Sequence, residues 1–137
     1  MGIISEKQKE AQDKGIDFSC NFRFPEMGNI STYDISVILG NILSNAMEAA
    51  EISKDKRVQI SSMLKNQIYF IDVKNSFDGI LDIDNETGLP MSTKAKDEGH
   101  GYGMRNVKKV AEKYFGAVEI QPEDGEVRTT VMMVLPM

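Results

Sequence analysis

The sequence predicts an α+β domain built as a two-layer α/β sandwich, helices packed against one mixed sheet. Three observations predict it. Segments with helical and strand periodicity follow one another as helix, strand, helix, strand, strand, loop, helix, strand, strand. Two of the strands are separated only by Lys65-Asn66-Gln67, short enough for an antiparallel hairpin. The helix between Asp34 and Ile52 is apolar around most of its circumference, which requires burial against other elements.

The elements follow in order. Residues 3–14 read as a polar helix with only Ile3, Ile4 and Ala11 to bury, so the expectation is the tail of a longer element rather than a core helix. The boundary falls there: 1–15 the end of an upstream helix or linker, 16–137 the folded domain. Ile16, Phe18, Cys20, Phe22 and Phe24 alternate with polar residues, the period of a half-buried strand, and Pro25 ends it. Ser31 or Thr32 can cap the helix from Asp34, and Lys54-Asp55-Lys56 breaks the chain after it. Arg57 to Leu64 and Ile68 to Asn75 are the hairpin strands. From Ser76 to Tyr102 no period is sustained and Gly79, Gly88, Pro90, Gly99 and Gly101 intervene; a loop that long is more often functional than filler. Met104, Val107, Val110, Ala111 and Tyr114 define a helix from Gly103 to Phe115, with Gly116 placed to stop it. Val118 to Ile120 and Val127 to Leu135 are the last strands, around a Pro-Glu-Asp-Gly turn.

Composition narrows the function. With 41% apolar and 27% charged residues, 137 residues can bury a real core as one domain and leave little room for disorder. Cys20 is alone, so no internal disulfide forms, which suits a reducing cytoplasm. A net charge of −5 with scattered lysines argues against a nucleic-acid surface, which needs a basic stripe. No apolar run reaches the roughly 18 residues of a membrane span, and the start has no signal-peptide core. Direct membrane contact by this domain is not expected.

Two motifs carry the chemistry. On the long helix, Asp34, Asn41, Asn45 and Glu48 fall within about 60° of one another at about 100° per residue, one narrow polar stripe. Such a stripe is either a solvated face or a site. Two short amides, poor helix formers, would serve solubility less well than Lys or Glu, and amides one turn apart can hold a metal ion. The second motif is Gly99-His100-Gly101-Tyr102-Gly103, opening the last helix, where backbone N–H groups can receive phosphate. Arg105 in the first turn opposes the helix dipole unless an anion sits nearby, and Lys94 on the loop can neutralise a terminal phosphate. His100, the one histidine, is as well explained as a plain loop residue. Asn75-Ser76, at a strand end, is a turn signal on its own, though an amide there could read a base edge.

In this order the motifs strongly resemble the ATP-binding domains of the gyrase, heat-shock chaperone, histidine kinase and MutL superfamily, with the Bergerat fold, over nearly the whole span 16–136. Asn41-Ile-Leu-Ser-Asn45-Ala resembles the N box, Gly99-His-Gly-Tyr-Gly103-Met104 the second glycine box, and Ser92-Thr93-Lys94 a remnant of the F-box segment. Asn75 stands where most kinases carry the adenine-binding aspartate, and Val131-Met-Met-Val-Leu-Pro136 is similar to the last strand of kinase members. The resemblance implies ATP and Mg2+ as cofactors, Asn45 as the magnesium ligand, and Asn41, Asn45 and Lys94 as the catalytic set. It further implies nucleotide contacts from Asn41, Asn45, Asn75, Lys94, Gly99, His100, Gly101, Tyr102, Gly103, Met104, Arg105 and Thr130. Hydrolysing members carry a glutamate where this chain has Asn41, and an amide cannot act as a general base, so slow hydrolysis is expected.

That substitution fits a kinase, in which an acceptor side chain supplies the nucleophile. The resemblance therefore implies the catalytic domain of a sensor histidine kinase. Asn75-Ser76, Glu48 and His100 are similar to the branch of AgrC-like quorum-sensing receptor kinases. Its expected partners are a histidine-bearing dimerisation domain, absent here, and a response regulator. The parent is expected to be a membrane-anchored homodimer with this domain in the cytoplasm. The alternatives are an anti-sigma-factor-type serine kinase and a non-catalytic nucleotide-binding docking module.

Overall fold

Ser31 starts the central helix: its Oγ accepts from the backbone N–H groups of Tyr33 and Asp34, satisfying two donors that a first helical turn leaves without intrahelical partners. The computed structural model describes residues 2–25, 30–79 and 100–135, with side chains in the last span from residue 103 onward. Within them the elements are α1 (Gly2–Asp13), β1 (Asp17–Asn21), α2 (Thr32–Glu51), β2 (Arg57–Lys65), β3 (Ile68–Ser76), α3 (His100–Lys113), β4 (Ala117–Glu123) and β5 (Glu126–Val134). The strands form one sheet in the order β1-β2-β3-β5-β4. β1 pairs with β2 in parallel and every other pair is antiparallel, so the sheet is mixed, as the sequence predicts.

Alternation along the strands gives the sheet one apolar face. Val58, Ile60, Tyr69, Ile71, Val73, Val131 and Met133 are buried beneath the helices. Residues of opposite parity, among them Gln59, Asp72, Lys74, Arg128 and Thr130, lie on the other face. Helix α2 contributes most to the core, burying Ile35, Ile38, Leu39, Ile42, Leu43, Ala46, Met47 and Ala50. The first helix differs from expectation: Ile4 and Ala11 of α1 lie in the same core, and Lys7 donates to Ser44 of α2 at 2.9 Å.

Helices α2 and α3 run antiparallel, and a buried carboxylate joins their far ends. Asp34, 6% exposed, accepts from the Tyr114 hydroxyl and, at 2.9 Å, from Lys113 Nζ. The Tyr114 oxygen in turn accepts from the Ser31 N–H at 3.1 Å. The hydroxyl's donation, joined by the Lys113 ammonium, holds the Asp34 carboxyl below its ordinary value despite the opposing cost of burial.

The end of α3 departs from the expected glycine stop. Phe115, 86% exposed, takes the left-handed conformation at φ 59°, and the Gly116 N–H returns to Ala111 O at 2.8 Å. Gly15 plays the Phe115 part at the end of α1, at φ 70°, followed by Ile16 N–H to Ala111's counterpart Ala11 O at 2.8 Å. Gly116 is required for a different reason: a Cβ there would lie 1.7 Å from Met132 O of β5.

Phe115→Gly is expected to raise stability by about 1 kcal/mol, since an exposed side chain in the left-handed region only adds strain. Gly116→Ala is expected to cost about 3 kcal/mol or more; urea denaturation reads both. For Asp34, the folded value lies below the ordinary 3.8, so its contribution is full above that value and is lost as pH falls through the lower folded one. Asp34→Asn is therefore expected to cost about 1.5–3 kcal/mol at about pH 7. The gap to wild type should shrink progressively below about pH 4; a gap that stays constant under acid would contradict the assignment.

Candidate functional site

An open cleft lies between the C-terminal half of α2, the start of α3 and strands β3, β4 and β5. Its walls are mainly apolar: Ile42, Ala46 and Ala49 from α2, Met104 from α3, Phe77 after β3, Ile120 from β4 and Val127 from β5. Three polar side chains enter it, Asn45, Asn75 and Thr129. An apolar slot with few polar groups suits a flat heteroaromatic ligand that is oriented by hydrogen bonds at its edge.

The polar stripe of α2 divides among three settings. Asp34 leaves it for the helix–helix junction at the far end. Asn41 is half-buried; its Nδ2 donates to Val37 O at 2.8 Å, and its Oδ1 stands 2.9 Å from where a Cβ on Gly103 would be. Asn41 thus packs against the start of α3, while Asn45, one turn on, opens into the cleft. Glu48 is half-buried. Among the described residues no cluster of three or more His, Cys, Asp or Glu could cage a metal ion. A cation here would need oxygens from a ligand and water beside the Asn45 amide, the arrangement magnesium favours.

At the opposite wall, Asn75 is 6% exposed and its Nδ2 donates to Ser76 O at 3.0 Å. Ser76 Oγ lies 2.6 Å from Ser53 Oγ, and both serines are buried.

The glycine motif lies further inside the helix than expected. Helix α3 begins at His100, so Gly101, Tyr102 and Gly103 belong to its first turn and Met104 follows, reaching the cleft. The four N–H groups at a helix start have no intrahelical acceptor, and here they belong to the motif itself. Arg105 is consequently in the second turn and exposed, so the dipole argument drawn from a first-turn placement no longer applies to it. The segment Ser92-Thr93-Lys94 and Gly99 lie outside the described residues, as do the side chains of His100 and Tyr102.

Thr130 lies outside the cleft. Its Oγ1 donates to Asp72 Oδ1 at 2.8 Å on the face away from the helices, while Thr129 lines the cleft. The parity is readable: Thr129 shares it with Val127 and Val131, which are buried on the inner face. Ser53, two residues past the end of α2 and just before the polar break Lys54-Asp55-Lys56, carries no signal of its own in the sequence.

Comparisons with known proteins bear on this arrangement. Residues 30–134 match the family model described as a GHKL domain. The chain is 30% identical over 148 residues to a probable C4-dicarboxylate sensor kinase of Bacillus subtilis (strain 168), covering 99% of the chain and 26% of that protein. A protein of the same description from Halalkalibacterium halodurans is 26% identical over 110 residues, covering 78% of the chain and 20% of that protein. The chain therefore spans about a quarter or less of the length of these curated relatives. Among solved structures, the catalytic domain of histidine kinase ThkA superposes with a TM-score of 0.77 at 17% identity, covering 98% of this chain and 88% of that one. The Acinetobacter baumannii histidine kinase AdeS gives 0.70 at 14% identity, covering 99% and 64%. At such identities the likeness establishes a shared fold.

Gly103→Ala isolates the α2–α3 contact. Alanine is the better helix former by up to about 1 kcal/mol, less in a first turn, which offsets the cost of moving Asn41, so the melting midpoint should change little. Its Cβ should nevertheless displace Asn41, seen as a shift of the Asn41 side-chain amide signals in a nitrogen–proton NMR spectrum; unmoved signals would refute the contact.

Proposed function

The chain belongs to the GHKL domain family, and on that premise we propose that it is the catalytic, ATP-binding domain of a sensor histidine kinase. Its reaction is transfer of the γ-phosphoryl group of Mg-ATP to a histidine on a separate dimerisation domain, and from there to a response regulator. The observation that carries this reading is the cleft: an apolar slot with Asn75 at one wall and Asn45 at the other, beside the first turn of α3. The kinase descriptions of the relatives support it.

In this reading the adenine lies among Ile42, Ala46, Ala49 and Phe77, with its edge toward Asn75. The amide oxygen of Asn45 would hold a magnesium ion, which would supply neutralising charge to the triphosphate. The N–H groups at the start of α3, within the motif from His100 to Gly103, receive phosphate oxygens with the helix dipole behind them. Lys94 and Gly99 are the proposed contributors from the loop. Asn41 orients rather than abstracts: an amide takes no proton from water, so the domain positions the triphosphate for a nucleophile from another domain. Among the described residues no helix is long and apolar enough to cross a membrane. The proposed parent is a membrane-anchored homodimer whose catalytic domains face the cytoplasm.

Titration calorimetry with Mg-ATP tests the site. Asn45→Ala should lower Mg-ATP affinity about 10- to 100-fold, the loss of one contact to a charged group. Affinity measured in EDTA should change little. Equal losses with and without magnesium would remove Asn45 as the metal ligand, and rapid ATP hydrolysis by the wild-type chain would contradict the kinase reading.

A further inference from the structure

Strand periodicity changes along the length of the sheet. Toward the cleft the strands alternate, with Val73 and Val127 facing the helices and Lys74 and Arg128 facing away, the pattern of a sheet wet on one side. At the other end the alternation stops. Strand β3 opens with Ile68-Tyr-Phe-Ile71 and β5 closes with Val131-Met-Met-Val134, continuous apolar runs of the kind carried by strands covered on both faces. Tyr69, Ile71, Val131 and Met133 are buried in the core. Their neighbours of opposite parity face outward, away from the helices that close the core among the described residues.

The register assembles those neighbours into one strip. Met63 of β2 stands opposite Phe70 of β3, Phe70 opposite Met132 of β5, and Met132 opposite Ala117 of β4. Ile68 and Val134 extend it toward the hairpin turn. Met63 is 54% exposed and Ile68 37%, and Ala117 is exposed too. No charge lies within the strip. Lys65 borders it beside Ile68, and Asp72, Glu119, Lys74 and Arg128 lie in the rows on its other side. An uncharged centre of Met and aromatic side chains within a charged rim is the anatomy of a protein interface.

Three features point to a second copy of this chain as the occupant. The rim carries both signs, three cations and two anions, in a chain of net charge −5; a strongly acidic or basic partner would select a rim of one sign, whereas here an acidic molecule repels its own copy least. A two-fold axis running along the strands between β3 and β5 exchanges Phe70 with Met132 and Met63 with Ala117, so a long exposed side chain meets a short one. Four strands about 4.8 Å apart and about 20 Å of strand length give a footprint of roughly 400 Å². With side-chain relief, two copies would bury about 1,000–1,200 Å² in total, the small end of specific interfaces.

We propose that the outer face of the sheet pairs with the same face of a second copy, forming a weak, reversible dimer whose sheets stack face to face. The cleft lies on the helix side, so the two catalytic domains stand back to back with both clefts open.

Sedimentation equilibrium of the whole chain over about 10–500 μM tests the pairing. Wild type should pass reversibly from monomer to dimer with a midpoint on the order of 100 μM. Met63→Lys and Ala117→Glu, both at exposed positions and checked by circular dichroism, should each stay monomeric throughout. An equimolar mixture of the two variants should associate again, because the two-fold sets the new ammonium against the new carboxylate. Wild type that stays monomeric over the whole range overturns the inference and leaves the face to a different protein. A dimer that neither substitution weakens overturns it too, as do two folded variants whose mixture fails to recover. If a variant does not fold, nitrogen–proton NMR of wild type decides: concentration-dependent shifts should fall around Phe70 and Met132, and shifts confined to the helices overturn the inference.

Discussion

Helix α2 has to be two things at once, the main apolar filler of the core and a carrier of amides into a cleft, and it is fastened at both ends. At its start the Asp34 carboxylate, withdrawn from water, accepts from Tyr114 and Lys113 at the end of α3. Just past its last residue, Ser53 binds Ser76 at the end of β3. Partnered buried polar groups are directional where apolar packing is not, and leaving either partner unmatched is costly. A helix packed only by Ile, Leu and Ala could slide or rotate against the sheet with modest penalty. These two attachments set both the position along the axis and the rotation, so Asn45 faces the cleft and Asn41 faces Gly103.

From that placement follows the chemical character of the site. Asn45 and Asn75 stand on opposite walls and Thr129 lies on the sheet, in a cleft whose remaining lining is apolar. Amides orient and coordinate without exchanging protons near neutral pH, so the site is suited to holding a charged ligand in register rather than to acid–base work. The first turn of α3 adds N–H groups without acceptors inside the helix, a fixed positive end that needs no cationic side chain. The antiparallel arrangement of α2 and α3 makes these features adjacent, because pairing the end of α3 with the start of α2 brings the start of α3 over the middle of α2.

Much of the fold was legible because its signals are local. Alternation marked the strands, the link at Lys65-Asn66-Gln67 marked the hairpin, and Ser31 marked the start of α2. The misses are also physical. Residues 3–14 read as the tail of a longer element with little to bury, yet Ile4 and Ala11 suffice to place the helix in the core, with Lys7 reaching Ser44. Gly116 looked like a helix stop, but Phe115 takes the left-handed turn and the glycine serves a close approach to β5 that no local pattern encodes. Strand parity separates Thr129, which lines the cleft, from Thr130, which donates to Asp72 on the other face.

What the sequence by itself determined is the class of the domain, its element order and the two motifs, since periodicity, turn chemistry and residue type act within a few positions along the chain. Tertiary structure alone decided which polar residues became site and which became scaffold. Asp34, Asn41 and Asn45 lie on one stripe of one helix, but their surroundings belong to α3 and the sheet, and these separate a junction, a helix contact and a cleft. The same holds for Ser76, whose Oγ meets that of Ser53, a serine 23 residues away in the chain. Hydrogen bonds between distant segments form only when the core brings the segments together, and so they leave no trace in a local pattern.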